Sequence, residues 1–132
     1  MTKPVPLLPE AAAAAEVRLM VLRFGCLMSE WRLFSFAVDR LLFAAAGYWD
    51  DVCCGLVGRP PLHACERRMR HCLAVAHALA GLGIEGSAAS RWLRRRNPAL
   101  GGISPLTAIT VEADVLRRLK DALVREHEKN ML

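Results

Sequence analysis

The stretch that most constrains this chain runs from Trp92 to Pro105, Trp-Leu-Arg-Arg-Arg-Asn-Pro-Ala-Leu-Gly-Gly-Ile-Ser-Pro. Ser87 is a good helix N-cap, and Ala88, Ala89, Arg91, Trp92 and Leu93 tolerate a helix. Asn97-Pro98 ends it, because the residue before a proline is pushed out of the α region. Gly101-Gly102 then supplies a sharp bend that only glycine makes cheaply. Ser104-Pro105 restarts a helix, with a serine cap followed by a proline where a missing N–H costs nothing. Trp92, Leu93, Leu100, Ile103 and Leu106 anchor this elbow with apolar groups. An elbow so fully specified either shapes a core or presents a surface.

The rest of the chain is periodic at helical spacing. Residues 1–8 read as a flexible, proline-bearing N-terminal tail. Pro9 opens a first helix, and Ala11 to Ala15 propagates it at low propensity cost. Val17, Met20, Val21, Phe24 and Leu27 or Met28 form its apolar stripe. Ser29 is placed to cap a second helix carrying Trp31, Phe34, Ala37 or Val38, Leu41, Leu42 and Ala45, with Asp39 and Arg40 outward and Gly47 as a stop. Tyr48 to Gly58 reads as a short third helix ended by Gly55 or Gly58. Pro60-Pro61 breaks the chain. Leu62 to Leu82 is the most strongly periodic segment, and its stripe of Cys65, Met69, Cys72, Leu73, Ala76, Leu79 and Ala80 predicts a central core helix. Arg67, Arg68, Arg70, His71 and His77 lie mostly off that stripe, and Gly81 and Gly83 end it. Thr110 is placed to cap a last helix, with Glu112 and Asp114 in its first turn and Val111, Val115, Leu119, Ala122 and Leu123 as its buried stripe. Asn130-Met131-Leu132 is left as a short tail.

No alternating β-branched run and no hairpin signal appears. The expected fold is therefore all-α, a compact multi-helix domain of about six to seven helices with the Gly-Gly elbow before the last two. Its parts are the 1–8 tail, a helical region over 9–61 and a second helical domain over 62–132.

Composition narrows the function. There is no Walker loop, dinucleotide fingerprint or nucleophile elbow, and no carboxylate or cysteine stands at a spacing from a histidine that would make a triad. No catalysis and no cofactor is expected. Five cysteines, two of them adjacent, do not make a disulfide framework. Cys53 or Cys54, His63, Cys65 and Cys72 match no zinc-ligand spacing, so no metal is expected and the thiols read as small core hydrophobes. The charge-free runs, His71 to Ile84 among them, are shorter than the ~18 residues of a membrane span, and the N-terminus has no signal-peptide pattern, so the chain reads as cytoplasmic. The net charge of +5 is uneven: Arg59 to Arg96 holds eight arginines against Glu66 and Glu85. Such a surface suits an acidic protein face or a nucleic acid. Phe43, Gly47, Cys53 and Leu56 loosely follow helix-turn-helix spacing, but Asp50 and Asp51 would repel phosphates there. Phe34, Phe36, Phe43 and Trp49 make the first half unusually apolar and suggest a self-association surface.

Ser90-Arg91-Trp92-Leu93, then Asn97-Pro98-Ala99-Leu100-Gly101-Gly102, then Ser104-Pro105-Leu106 resembles the signature of the Xre/MbcA/ParS antitoxin toxin-binding domain. The resemblance covers about Glu66 to the C-terminus. It implies a bacterial antitoxin that dimerises and blocks the NAD pocket of a cognate RES-type toxin, an ADP-ribosyltransferase-like enzyme, with its C-terminal part. Trp92, Leu93, Asn97, Leu100, Gly101, Gly102 and Pro105 match the motif and are expected mostly to build the elbow. The expected toxin contacts are Trp92, Arg94, Arg95, Arg96, Asn97, Leu100, Gly101, Gly102, the last-helix residues Arg117, Arg118 and Asp121, and the tail to Leu132. The alternatives are a DNA-binding autorepressor acting on operator DNA, and a helical interaction domain without a toxin.

Overall fold

The computed structural model describes residues 9–55 and 63–131. It holds seven α-helices and no strand among them: α1 (Pro9–Glu30), α2 (Ser35–Leu41), α3 (Tyr48–Cys53), α4 (His63–Gly81), α5 (Ser87–Arg94), α6 (Pro105–Val111) and α7 (Ala113–Asn130). A single 3-10 turn, Pro98–Leu100, lies between α5 and α6. The all-α reading and the helix count hold. The tail 1–8, Leu56, Gly58, Pro60-Pro61 and Leu132 lie outside the described residues.

α4 is the central helix. It packs against α1 on one side and α7 on the other, while α5 and α6 lead the chain back to α7. The core runs through all of them, with Phe24, Trp31, Leu41, Met69, Leu79, Leu93, Ile109 and Leu116 buried. The Phe24 and Trp49 rings meet edge to face with centroids 5.2 Å apart, an arrangement favoured by the ring quadrupoles. Cys65 and Cys72 are buried as small hydrophobes, and burial pushes the Cys72 thiol up to about 12.

Several local expectations are corrected. α1 continues through Ser29 to Glu30, so Ser29 caps nothing, and Phe34 stands at the N-cap of α2 without a side-chain bond. Gly86, not Ser87, is the N-cap residue of α5. Thr110 sits inside α6 and donates its hydroxyl to the Thr107 carbonyl; Glu112 is the N-cap of α7. Val111 and Ala122 are exposed, and Leu116 takes the deepest place in the α7 stripe. Gly47 opens α3 in the left-handed region, φ 88°, rather than stopping α2.

The two largest corrections concern charges read as outward. Asp39 is buried. Its carboxylate accepts from the backbone N–H of Gly47 at 2.9 Å and of Trp49 at 2.8 Å, so α2 supplies the cap that α3 lacks locally. Arg68 is buried as well. Its guanidinium donates to the carbonyls of Leu41 at 2.6 Å, Ile109 at 2.7 Å and Ala113 at 2.9 Å. It also lies 4.3 Å from the centroid of the Phe43 ring, a cation–π distance. One cation on α4 thus binds the C-terminal ends of α2 and α6 and the start of α7. Carbonyl-bearing helix ends carry partial negative charge, which is what makes a buried cation tolerable there.

Candidate functional site: the elbow and its basic flank

The elbow forms at the expected residues, but Asn97-Pro98 does not end the helix, which stops three residues earlier. α5 stops at Arg94, and Arg95 is already extended. Asn97 then organises the bend. Its Oδ1 accepts from the Ala99 N–H at 2.9 Å, and its own N–H donates to the Ile103 carbonyl at 3.1 Å. Its carbonyl accepts from the N–H groups of Leu100 and Gly102 at 3.0 and 3.1 Å. Gly101 and Gly102 sit at φ 72° and 84°, the left-handed region where a Cβ is strained. The Ser104 hydroxyl accepts from the Thr107 N–H at 3.2 Å with Pro105 following, so the helix restart is as expected. Asn97 and Gly102 are therefore occupied in holding the bend. Leu100 is half-buried, and Ile103 projects to solvent at 44 % exposure.

Leu93 is fully buried, and Trp92 is half-buried against the core, so its remaining surface is open. Arg94, Arg95 and Arg96 are exposed. Arg94 is held in place: its guanidinium donates to the Ser90 hydroxyl and carbonyl and, at 3.1 Å, to the carbonyl of Arg32. Ser90 in turn donates to the buried Trp31 carbonyl at 3.3 Å, which ties α5 to the end of α1. Arg91, Arg94 and Arg95 come together with Arg32 and Ser90 around a shallow concavity of about 530 Å³. No carboxylate lines it, so its lining is cationic. Arg32 was not foreseen there. It reaches the site because the chain turns back after α1 with Arg32 at φ 57°.

The α7 residues are differently placed. Arg117 is ion-paired with Asp114 at 2.6 Å, and Asp121 with Lys120 at 2.6 Å. The Asp114 partner raises the Arg117 guanidinium above its ordinary value, and the Lys120 partner lowers the Asp121 carboxyl. Arg118 is exposed, and Met131, the C-cap of α7, is 73 % exposed. None of the α7 residues lines the arginine concavity. Cys53, Cys54 and His63 are exposed while Cys65 and Cys72 are buried, and among the described residues no three His, Cys, Asp or Glu side chains are grouped to hold a metal ion. Asp50 and Asp51 lie on the exposed side of α3. No helix among the described residues is long and apolar enough to cross a membrane.

Fold and site together define an all-helical module that presents a tightly bonded elbow beside a basic concavity. Residues 78–127 match the family model of the antitoxin Xre/MbcA/ParS C-terminal toxin-binding domain, the family that the elbow motif resembles. The match runs from the last turn of α4 to near the end of α7. No curated protein and no solved structure matched the chain.

Proposed function

We propose that this chain is an antitoxin that binds a cognate RES-type toxin and neutralises it by covering its NAD-binding pocket. Residues 62–132 carry the binding surface, and 9–61 buttress it. The observation that carries the reading is the match of residues 78–127 to the toxin-binding-domain model, centred on an elbow whose backbone groups are bonded internally. A preformed elbow loses little entropy on docking, and an inhibitor that works by occupancy needs no chemistry of its own. Trp92, Leu100, Gly101 and Gly102 offer the shape of the contact, with Asn97 holding it. Arg94, Arg95 and Arg96 supply charge opposite an acidic face of the toxin. Arg117, Arg118, Asp121 and the tail to Leu132 extend the contact along α7, and the antitoxin acts as a homodimer in the cytoplasm. The operator-DNA alternative is disfavoured by the exposed Asp50 and Asp51 on α3.

The test is co-expression of the chain with the adjacent RES-type toxin in a growth assay. Rescue by the wild-type chain is expected, with loss of rescue for the triple variant Arg94→Glu, Arg95→Glu, Arg96→Glu. Stopping the chain after Glu128 separates the α7 tail from the elbow: full rescue would remove the tail from the mechanism. Failure of the wild-type chain to rescue would overturn the reading.

A further inference from the structure

α1 has two apolar faces, and only one is used. Met20, Phe24, Leu27, Met28 and Trp31 are buried against the core. On the opposite side Ala15, Leu19, Leu22 and Cys26 follow one another at steps of four, three and four residues, the repeat of a coiled-coil seam. All four are exposed, Leu19 to 47 % and Leu22 to 68 %. Two leucines in the middle of a solvent-facing seam are better placed against another helix than against water.

Flanking charges specify the occupant and its direction. Arg18 and Gly25 border the seam on one edge, Glu16 and Arg23 on the other. In a parallel pair of identical helices, Arg18 would face the partner's Arg23, which is repulsive. In an antiparallel pair Leu19 lies opposite the partner's Leu22, and Ala15 opposite the partner's Cys26. Glu16 then faces the partner's Arg23, and the two-fold axis repeats the pair with the roles exchanged. Arg18 faces the partner's Gly25 and meets no charge. The same surface is complementary to itself about a two-fold axis, as an isologous dimer requires.

We infer that the unpartnered face of α1, centred on Leu19 and Leu22, is the antiparallel dimer interface of this chain, closed by two Glu16–Arg23 ion pairs. This rests on the homodimer part of the reading above and adds the face, the direction and the register. It leaves the arginine concavity and the elbow out of the contact, because their lining residues lie outside the seam.

Sedimentation equilibrium of the full chain across a concentration series tests this, with circular dichroism as the fold control. The wild type is a dimer. Leu22→Glu, on an exposed position, keeps its helicity and raises the dissociation constant about 100-fold, because two leucines leave the interface and each 1.4 kcal/mol is tenfold. Glu16→Arg weakens the dimer, and Glu16→Arg with Arg23→Glu restores it. Register is read by oxidation with oxidised glutathione in a Cys53→Ser, Cys54→Ser background. Cys26 does not cross-link to the partner's Cys26, because eleven residues of offset separate them by about 16 Å. Adding Ala15→Cys creates the cross-link. A wild-type monomer at every concentration overturns both the dimer and its face. A dimer indifferent to Leu22→Glu overturns the face alone, and a cross-link between the two Cys26 residues overturns the direction.

Discussion

Replacing Arg68 by methionine removes the guanidinium and keeps most of the aliphatic stem. Three hydrogen bonds of 2.6, 2.9 and 2.7 Å disappear, along with the contact to the Phe43 ring. The Ala113 carbonyl stands at the start of α7 and keeps its place in that helix. The Leu41 and Ile109 carbonyls end α2 and α6 and lose a buried donor outright. Leaving a buried polar group unsatisfied costs about 1–3 kcal/mol, and hydrogen bonds to a charge lie toward the upper end. Relief of the guanidinium's own burial, which pulls its pKa below the ordinary arginine value, works in the opposite direction. The balance is a loss of about 3 kcal/mol, a large share of the roughly 5–15 kcal/mol that a domain of this size has. Urea denaturation followed by circular dichroism measures it, and the melting temperature should fall by roughly 10 °C. Arg70→Met is the control: this guanidinium is half-exposed, bonds only Glu66 on its own helix, and should cost at most about 1 kcal/mol. Equal, small effects for the two variants would refute the claim that Arg68 fastens the ends of α2 and α6 and the start of α7.

Other outcomes follow from the same contacts. Asp39→Ala strips a buried N–H at Trp49 and a part-buried one at the Gly47 cap of α3 of their acceptor and should cost about 2 kcal/mol in the same denaturation assay. Gly102→Ala forces a Cβ onto a residue at φ 84° with open space around it, so the cost is backbone strain alone, about 1–2 kcal/mol. Thiol titration of the native chain should modify Cys53 and Cys54 and spare Cys65 and Cys72 until it unfolds. Because burial holds the Cys72 thiol near 12, the unfolded chain gives up that proton first as pH rises. Stability should then decline as pH climbs above about 9, with none of this loss in a Cys72→Ala variant.

The parts of the fold legible in the sequence are those set by local chemistry. Ser104-Pro105 and Gly101-Gly102 each do what their residue type does anywhere, and the α4 stripe announces a core helix because its period is uninterrupted. Asp39 and Arg68 were read outward because a charge is ordinarily solvated, and their burial depends on partners eight to forty-five residues away. A local signal for Arg68 did exist: it falls three residues after Cys65 and four before Cys72, on the buried stripe itself. Ser29 and Thr110 are cap-forming types standing inside helices, and nothing local distinguishes them from true caps. The elbow and its arginines were legible as neighbours in sequence. The arrival of Arg32 was not, because it depends on how α1 packs beside α5.

The most direct measurement is the binding of the purified chain to the toxin proposed above by calorimetry, followed by titration of NAD into the complex. Tight binding that abolishes NAD binding, and that collapses for the Arg94→Glu, Arg95→Glu, Arg96→Glu variant while its helicity is kept, is the result predicted. A complex that still takes up NAD with unchanged affinity would contradict inhibition by occupancy.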